Sequence, residues 1–156
     1  MAYSTLEETH FIEDIGLYFE RLGLPRMAGK ILGVLLISDP PAQSITEIGE
    51  KLNASKSSIS TMSRLLLEVG LIEKVPSPVP RRDYFKFKTG GWILYMEQWF
   101  DLMSGLHKLT ERGLDLLKDK PNELKTRLKE AHNLFSYLET HFPNMLEQIK
   151  KDIIHP

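Results

Sequence analysis

Apolar residues recur at helical spacing toward both ends of this chain and gather into short strand-like runs only in its middle. Phe11, Ile15, Tyr18 and Leu22 lie at steps of three or four, which predicts an amphipathic helix over 7–22 with those residues on one stripe. Gly23-Leu24-Pro25 breaks it, and Pro25 suits the first turn of a second helix over 26–37, apolar on most sides and therefore buried. Asp39-Pro40-Pro41 stops that helix. From Trp92 to about Lys118 a third long helix carries Trp92, Tyr95, Met96, Trp99, Met103, Leu106, Thr110 and Leu117 on one broad face. After the turn Asp119-Lys120-Pro121-Asn122, a last stripe runs through Leu124, Leu128, Ala131, Phe135, Leu138 and Phe142. It continues as Met145, Ile149 and Ile153 beyond Pro143, where a kink or a restart of the helix is expected.

The middle of the chain changes period. Ser44-Ile45-Thr46-Glu47 has the form of a capping box, opening a short helix that ends near Leu52-Asn53. Three residues on, Ser55 can cap another helix, which Gly70 can close in a left-handed conformation. Leu71 to Val75 and Arg81 to Lys88 then read as two strands around a tip stiffened by Pro76, Pro78 and Pro80. Two short helices, a three-residue turn and a basic hairpin in this order form a helix-turn-helix with a β-wing. The expected fold is mainly α with that small wing, flanked by N- and C-terminal dimerisation helices. Its parts are residues 1–24, a winged helix-turn-helix at 25–91, and C-terminal helices at 92–156. A stripe some 30 residues long at the C-terminal end, edged by Lys, Glu and Arg, is more economically buried against a second copy than within one chain.

With Ile59 facing the core, Ser55, Ile59, Met62, Leu66 and Val69 cluster on one side of the second short helix, and Ser57, Ser60, Thr61 and Arg64 on the other. The outward set is small and polar, which suits a major groove about 12 Å wide, with Arg64 as the side chain for a guanine edge. Lys56 and the free N–H groups of the first turn suit a phosphate. Arg81 and Arg82, with Lys86 nearby, sit where a wing reaches a minor groove or its phosphates. A Ser-rich helix face and paired arginines are each, alone, more often plain solvated surface.

A net charge of −1 over 156 residues argues against nucleic acid until it is counted locally. Between residues 53 and 90, seven basic residues (Lys56, Arg64, Lys74, Arg81, Arg82, Lys86, Lys88) face three acidic ones (Glu68, Glu73, Asp83), a local excess of four. Binding depends on local potential more than on the total. Cysteine is absent, which excludes disulfides and thiolate metal sites. The first residues lack the basic and apolar regions of a signal peptide, and the longest apolar run, Ile31 to Ile37, is far below the roughly 20 residues of a membrane span. A cytoplasmic location without membrane contact is the expectation.

These residues carry a resemblance. The segment from Phe11 to Gly33, the run Ser55-Lys56-Ser57-Ser58-Ile59-Ser60, and Leu65 to Val75 resemble the MarR superfamily of winged-helix regulators, and within it the GbsR-type branch, over about residues 10–118. The resemblance implies a homodimer joined through terminal helices that binds double-stranded operator DNA, usually represses transcription and often answers to a small ligand. Ser55 joins the DNA-contacting residues named above on the same grounds.

Other signals are weaker. Gly23 to Lys30 mimics a phosphate-binding loop, but five residues separate its glycines and Ile31 stands where a hydroxyl is needed. His10, His107, His132, His141 and His155 lack metal-ligand spacing, and no nucleophile, acid/base pair or cofactor motif is present, so no enzyme is expected. Trp92, Tyr95 and Trp99 could wall a pocket for a quaternary ammonium effector, although aromatics at helical spacing are more often core. The alternative to a DNA-binding regulator is a winged helix used as a protein-interaction module without specific DNA binding.

Overall fold

A computed structural model describes residues 2–77 and 79–154; Pro78, expected to stiffen the tip, and His155 lie outside the described residues. The chain forms two compact units, Met1–Trp92 and Ile93–Pro156. The first contains α1 (Ala2–Arg21), α2 (Arg26–Ile37), β1 (Gln43–Ser44), α3 (Ile45–Leu52), α4 (Lys56–Glu68), β2 (Ile72–Val75) and β3 (Tyr84–Phe87). Helix α5 (Gly91–Leu116) begins at its end and supplies the second unit, with α6 (Asn122–Ile149) and a π-helical turn over Lys150–Ile154. Among the described residues, no helix is long and apolar enough to cross a membrane.

Helix α2 is the centre of the first unit. Ala28, Ile31, Leu32, Val34 and Leu35 are buried along it, as its apolar circumference requires. Phe19 covers it from α1, Ile48 from α3, Ile59 and Leu66 from α4, and Leu71, Ile72 and Phe85 complete the core from the wing. Glu13 anchors α1 to α2 through Arg26 at 2.8 Å and Lys30 at 2.6 Å, and the Lys30 hydrogen bond above all holds its carboxyl below the usual carboxylate range.

The face of α1 that packs on α2 is mostly distinct from the apolar stripe. Ile15 does turn partly inward, but Phe11, Tyr18 and Leu22 are exposed, while Ile12, Gly16 and Phe19 meet α2. The reason is close packing: a Cβ on Gly29 of α2 would lie 2.9 Å from the Gly16 Cα. The helices cross where neither has a side chain, so the smallest residue, and not the most apolar one, marks the contact.

The three strands lie in the order β1-β3-β2, antiparallel throughout. Strand β1, absent from the sequence expectation, pairs Gln43 with Phe85 and Ser44 with Tyr84. Strand β3 starts at Tyr84, so Arg81, Arg82 and Asp83 belong to the wing tip and not to a strand running from Arg81.

In the second unit α5 and α6 run antiparallel. Phe100 stacks on Phe142 at 4.5 Å between centroids, and Glu139 accepts from Ser104 and pairs with His107 Nδ1 at 2.7 Å. The Ser104 hydrogen bond in particular lowers the Glu139 carboxyl below its ordinary value. Helix α6 passes through Pro143 to Ile149 as one element, so the helix does not restart there. On the long stripes, Phe142 is buried as expected and so is Thr110, but Met96, Trp99, Leu106, Leu124, Met145 and Ile153 are exposed and Leu146 is buried in addition.

Candidate nucleic-acid interface

The helix-turn-helix is set by local hydrogen bonds. The Ser44 N–H donates to Glu47 Oε2 at 2.7 Å and the Glu47 N–H donates to Ser44 Oγ at 3.2 Å, closing the capping box at the start of α3. The Ser44 amide bond, ahead of its hydroxyl, draws the Glu47 carboxyl below its usual range. Helix α3 ends at Asn53, whose φ of 48° is left-handed, a conformation asparagine tolerates. The turn is tight because Gly49 has no side chain: a Cβ there would stand 3.0 Å from the Ala54 carbonyl oxygen.

Ser55 then caps α4, its Oγ accepting from the Ser58 N–H at 3.2 Å. At the other end the Gly70 N–H donates to the Leu67 carbonyl and the Leu71 N–H to the Leu66 carbonyl, with Gly70 at φ 73°. This paired closure turns the chain from α4 directly into β2.

Around α4 the structure buries Ile59, Ser63 and Leu66. Met62 and Val69 are only partly covered, and Ser55, expected among the inward residues, is exposed at the cap. Ser63 was outside the expected set; its hydroxyl is buried without a hydrogen-bond partner among the described residues, and no apolar pattern could mark it. Lys56, Ser57, Thr61 and Arg64 are exposed, and Ser60 is half-buried. Thr61 Oγ1 donates back to the Ser57 carbonyl at 2.9 Å, and the Ser57 and Ser55 hydroxyls lie 3.1 Å apart. Each of these hydroxyls retains a lone pair for an incoming donor; the Thr61 proton is committed to Ser57, and one of the two serine protons to the Ser55–Ser57 contact.

Lys56, Ser57 and Ser60 of α4, Ser44 to Thr46 at the start of α3, and Arg81, Arg82 and Asp83 of the wing tip together line one open cleft of about 620 Å³. The tip is folded back by the Arg82 N–H donating to the Val79 carbonyl at 3.4 Å. Arg81 occupies the left-handed region at φ 63°, an uncommon conformation for a residue with a side chain.

Not every basic residue of the local excess is available. Lys74 pairs with Asp83 at 2.6 Å, and Lys86 with Glu73 at 3.2 Å, directly across the β2–β3 ladder. Lys86 is thus a neutralised cross-strand partner, an arrangement that strand register decides and that a count of charges could not anticipate. Among the described residues, Lys56, Arg64, Arg81, Arg82 and Lys88 of this group have no ion pair.

The aromatic trio divides between the two units. Trp92 ends the first, stacked on Phe19 at 6.0 Å and near Phe87 at 5.3 Å. Tyr95 and Trp99 belong to the second, where Tyr95 is half-buried, its hydroxyl pKa raised by burial, and Trp99 is exposed. Core packing, the weightier reading of the trio, describes Trp92 in part and does not describe Trp99.

Two family models match the chain: the MarR family over residues 22–83, and the MmpR5-like MarR family transcriptional regulators over residues 90–151. The chain is 37% identical over 129 residues to the HTH-type transcriptional regulator MmpR5 of Mycobacterium tuberculosis (strain ATCC 25618 / H37Rv), covering 83% of this chain and 78% of that one. It is 26% identical over 148 residues to the HTH-type transcriptional repressor OpcR of Bacillus subtilis (strain 168), covering 84% and 80%. A crystal structure of a transcriptional regulator, 34% identical, superposes with a TM-score of 0.77 over 93% of this chain and 99% of that one. A helix-turn-helix with a basic wing, and similarity at this level over most of both chains, lead to one statement: the chain belongs to the MarR family of transcriptional regulators.

Proposed function

We propose that the chain is a homodimeric repressor that reads a palindromic operator with α4 in the major groove and the wing tip on adjacent phosphates or the minor groove. The observation that carries this reading is the cleft shared by Lys56, Ser57, Ser60, Arg81 and Arg82. A phosphate there would meet the N-terminal end of α4, one ammonium and two guanidinium groups, and such contacts set the register in which Arg64 and Thr61 face base edges. The exposed hydroxyls offer acceptors, and Arg64 offers the paired donors that guanine requires.

Dimerisation is supported by a second observation. Leu102, Leu109 and Leu116 repeat every seventh residue on α5 and are 68%, 62% and 77% exposed. A heptad of uncovered leucines is unfavourable in water and is the pattern of a helix awaiting a partner helix. A two-fold dimer would present two copies of α4 to two half-sites. Within the family we assign the chain to the GbsR-type branch on its opening segment from Phe11 to Gly33, with a cytoplasmic location, no catalytic activity and release from DNA by a small ligand.

Selection of bound sequences from random DNA tests this directly. A palindrome with half-site centres about 10 bp apart is expected. Failure to retain any DNA at low salt would leave the winged helix as a protein-interaction module.

A further inference from the structure

The second unit carries a cleft of about 390 Å³ between α5 and α6, far along the chain from the wing. Its floor is aromatic and apolar: Phe100 lies flat on Phe142, rings 10° apart, and Phe142 and Leu146 are buried beneath it. Its rim is acidic, with Glu97 and Asp101 from α5 and Glu147 from α6. One cation answers these three carboxylates. Lys150 places its Nζ 2.6 Å from Glu97 and 3.5 Å from Glu147. Asp101 is exposed and has no ion pair among the described residues.

We propose that this cleft is a binding site for hydrophobic amines, with the aromatic floor taking the apolar body and the carboxylate rim taking the ammonium. The volume lies within the 300–1,000 Å³ common for small-molecule sites. Stacked phenyl faces attract an organic cation as well as apolar surface. The rim keeps two negative charges in excess after Lys150 is counted, so it favours a cation over a neutral or anionic molecule. Most directly, the rim already holds an ammonium group, the chain's own. Lys150 is a tethered surrogate that occupies the position a ligand ammonium would take, and its pKa is raised chiefly by the Glu97 hydrogen bond.

The placement of the surrogate gives binding a structural consequence. Lys150 stands where α6 gives way to the π-helical turn over Lys150–Ile154. A ligand ammonium on Glu97 displaces Lys150 and releases that terminal turn from α5. The site is independent of the DNA-reading proposal, and its use as an effector site rests on that proposal.

Fluorescence anisotropy of rhodamine 6G, a hydrophobic cation, with the full chain provides the test, with the anionic dye fluorescein as control. Saturable binding of rhodamine 6G is expected, with fluorescein at least about tenfold weaker. Lys150→Met removes the internal competitor and should tighten rhodamine 6G binding about fivefold, while Asp101→Asn should weaken it about fivefold, the size of one partly exposed charge contact. Both side chains are at the surface, so neither change should unfold the chain, and circular dichroism checks this. No binding of rhodamine 6G, equal binding of the two dyes, or affinity unmoved by Lys150→Met would overturn the site. A chain that selects an operator yet fails these measurements loses only this inference.

Discussion

Gly29 of α2 sits against Gly16 of α1 so closely that a Cβ added to it would lie 2.9 Å from the Gly16 Cα and 2.9 Å from the Phe19 Cβ. Alanine is the better helix former by about 1 kcal/mol, so Gly29→Ala tests packing against propensity. Two of the three nearest atoms are backbone, and backbone cannot swing aside. Overpacking costs about 1–3 kcal/mol and should win, giving a net loss of up to about 2 kcal/mol in chemical denaturation. Gly105→Ala is the control. Nothing lies within 4 Å of its added Cβ, and a gain of up to about 1 kcal/mol is expected.

The capping box makes stability depend on pH. Glu47 has a lowered pKa in the folded chain because the Ser44 amide, then the Ser44 hydroxyl, hydrogen-bond to it. A depressed carboxylate contributes stability that is fully present above its unfolded pKa, about 4.3, and is lost as pH falls through the folded value. Glu47→Gln keeps an acceptor at this position but has no proton to take up. The difference in melting temperature between the two proteins should be constant above about pH 5 and shrink below pH 4. A difference that stayed constant down to pH 3 would rule this linkage out.

Ser63 presents the opposite case, a buried hydroxyl with no partner among the described residues. An unmade hydrogen bond of this kind costs about 1–3 kcal/mol, and serine is also a poorer helix former than alanine. Ser63→Ala is therefore expected to raise stability by about 1 kcal/mol. An equal loss would mean that the hydroxyl is satisfied in solution.

What the sequence disclosed was mainly what neighbouring residues decide. Ser44 to Glu47, Ser55, and the Gly70 closure each depend on residues within five positions, and all three formed as the pattern indicates. What it concealed depended on distant pairing. Strand β1 exists only because Gln43 meets Phe85, and the neutralisation of Lys86 exists only because Glu73 stands opposite. The packed face of α1 is likewise set by a distant partner, since Gly16 meets Gly29 of α2 where neither has a side chain. In the cleft, residue types suggested Lys56, Ser57, Ser60, Arg81 and Arg82 separately; their shared location is a property of the fold.

Arg64 and Arg82 should fail differently when removed. Arg64 is exposed on the outward face of α4, and Arg82 lines the cleft beside Lys56. With the selected operator, Arg64→Ala should lose about 1–3 kcal/mol of discrimination between cognate and altered base pairs. Arg82→Ala should weaken cognate and altered sites alike and reduce the slope of log affinity against log salt by about 1. Titrations of both variants at several salt concentrations separate the two roles. Identical behaviour would remove the distinction between base and phosphate contacts.

The uncovered heptad of α5 yields the last expectation. Leu102 and Leu109 are among the most exposed large apolar side chains of the described residues, so replacing both with glutamate takes little from the packing of one chain. Across a dimer interface, four new carboxylates would face one another in place of apolar contacts, and like charges there are destabilising. The Leu102→Glu, Leu109→Glu variant should sediment as a monomer with an unchanged helical circular dichroism spectrum. A monomer holds only one half-site, so its operator affinity should fall at least about a hundredfold as the linkage between two reading helices is lost. A variant that stayed dimeric would place the interface elsewhere, with the exposed Phe11, Tyr18 and Leu22 of α1 the next surface to alter.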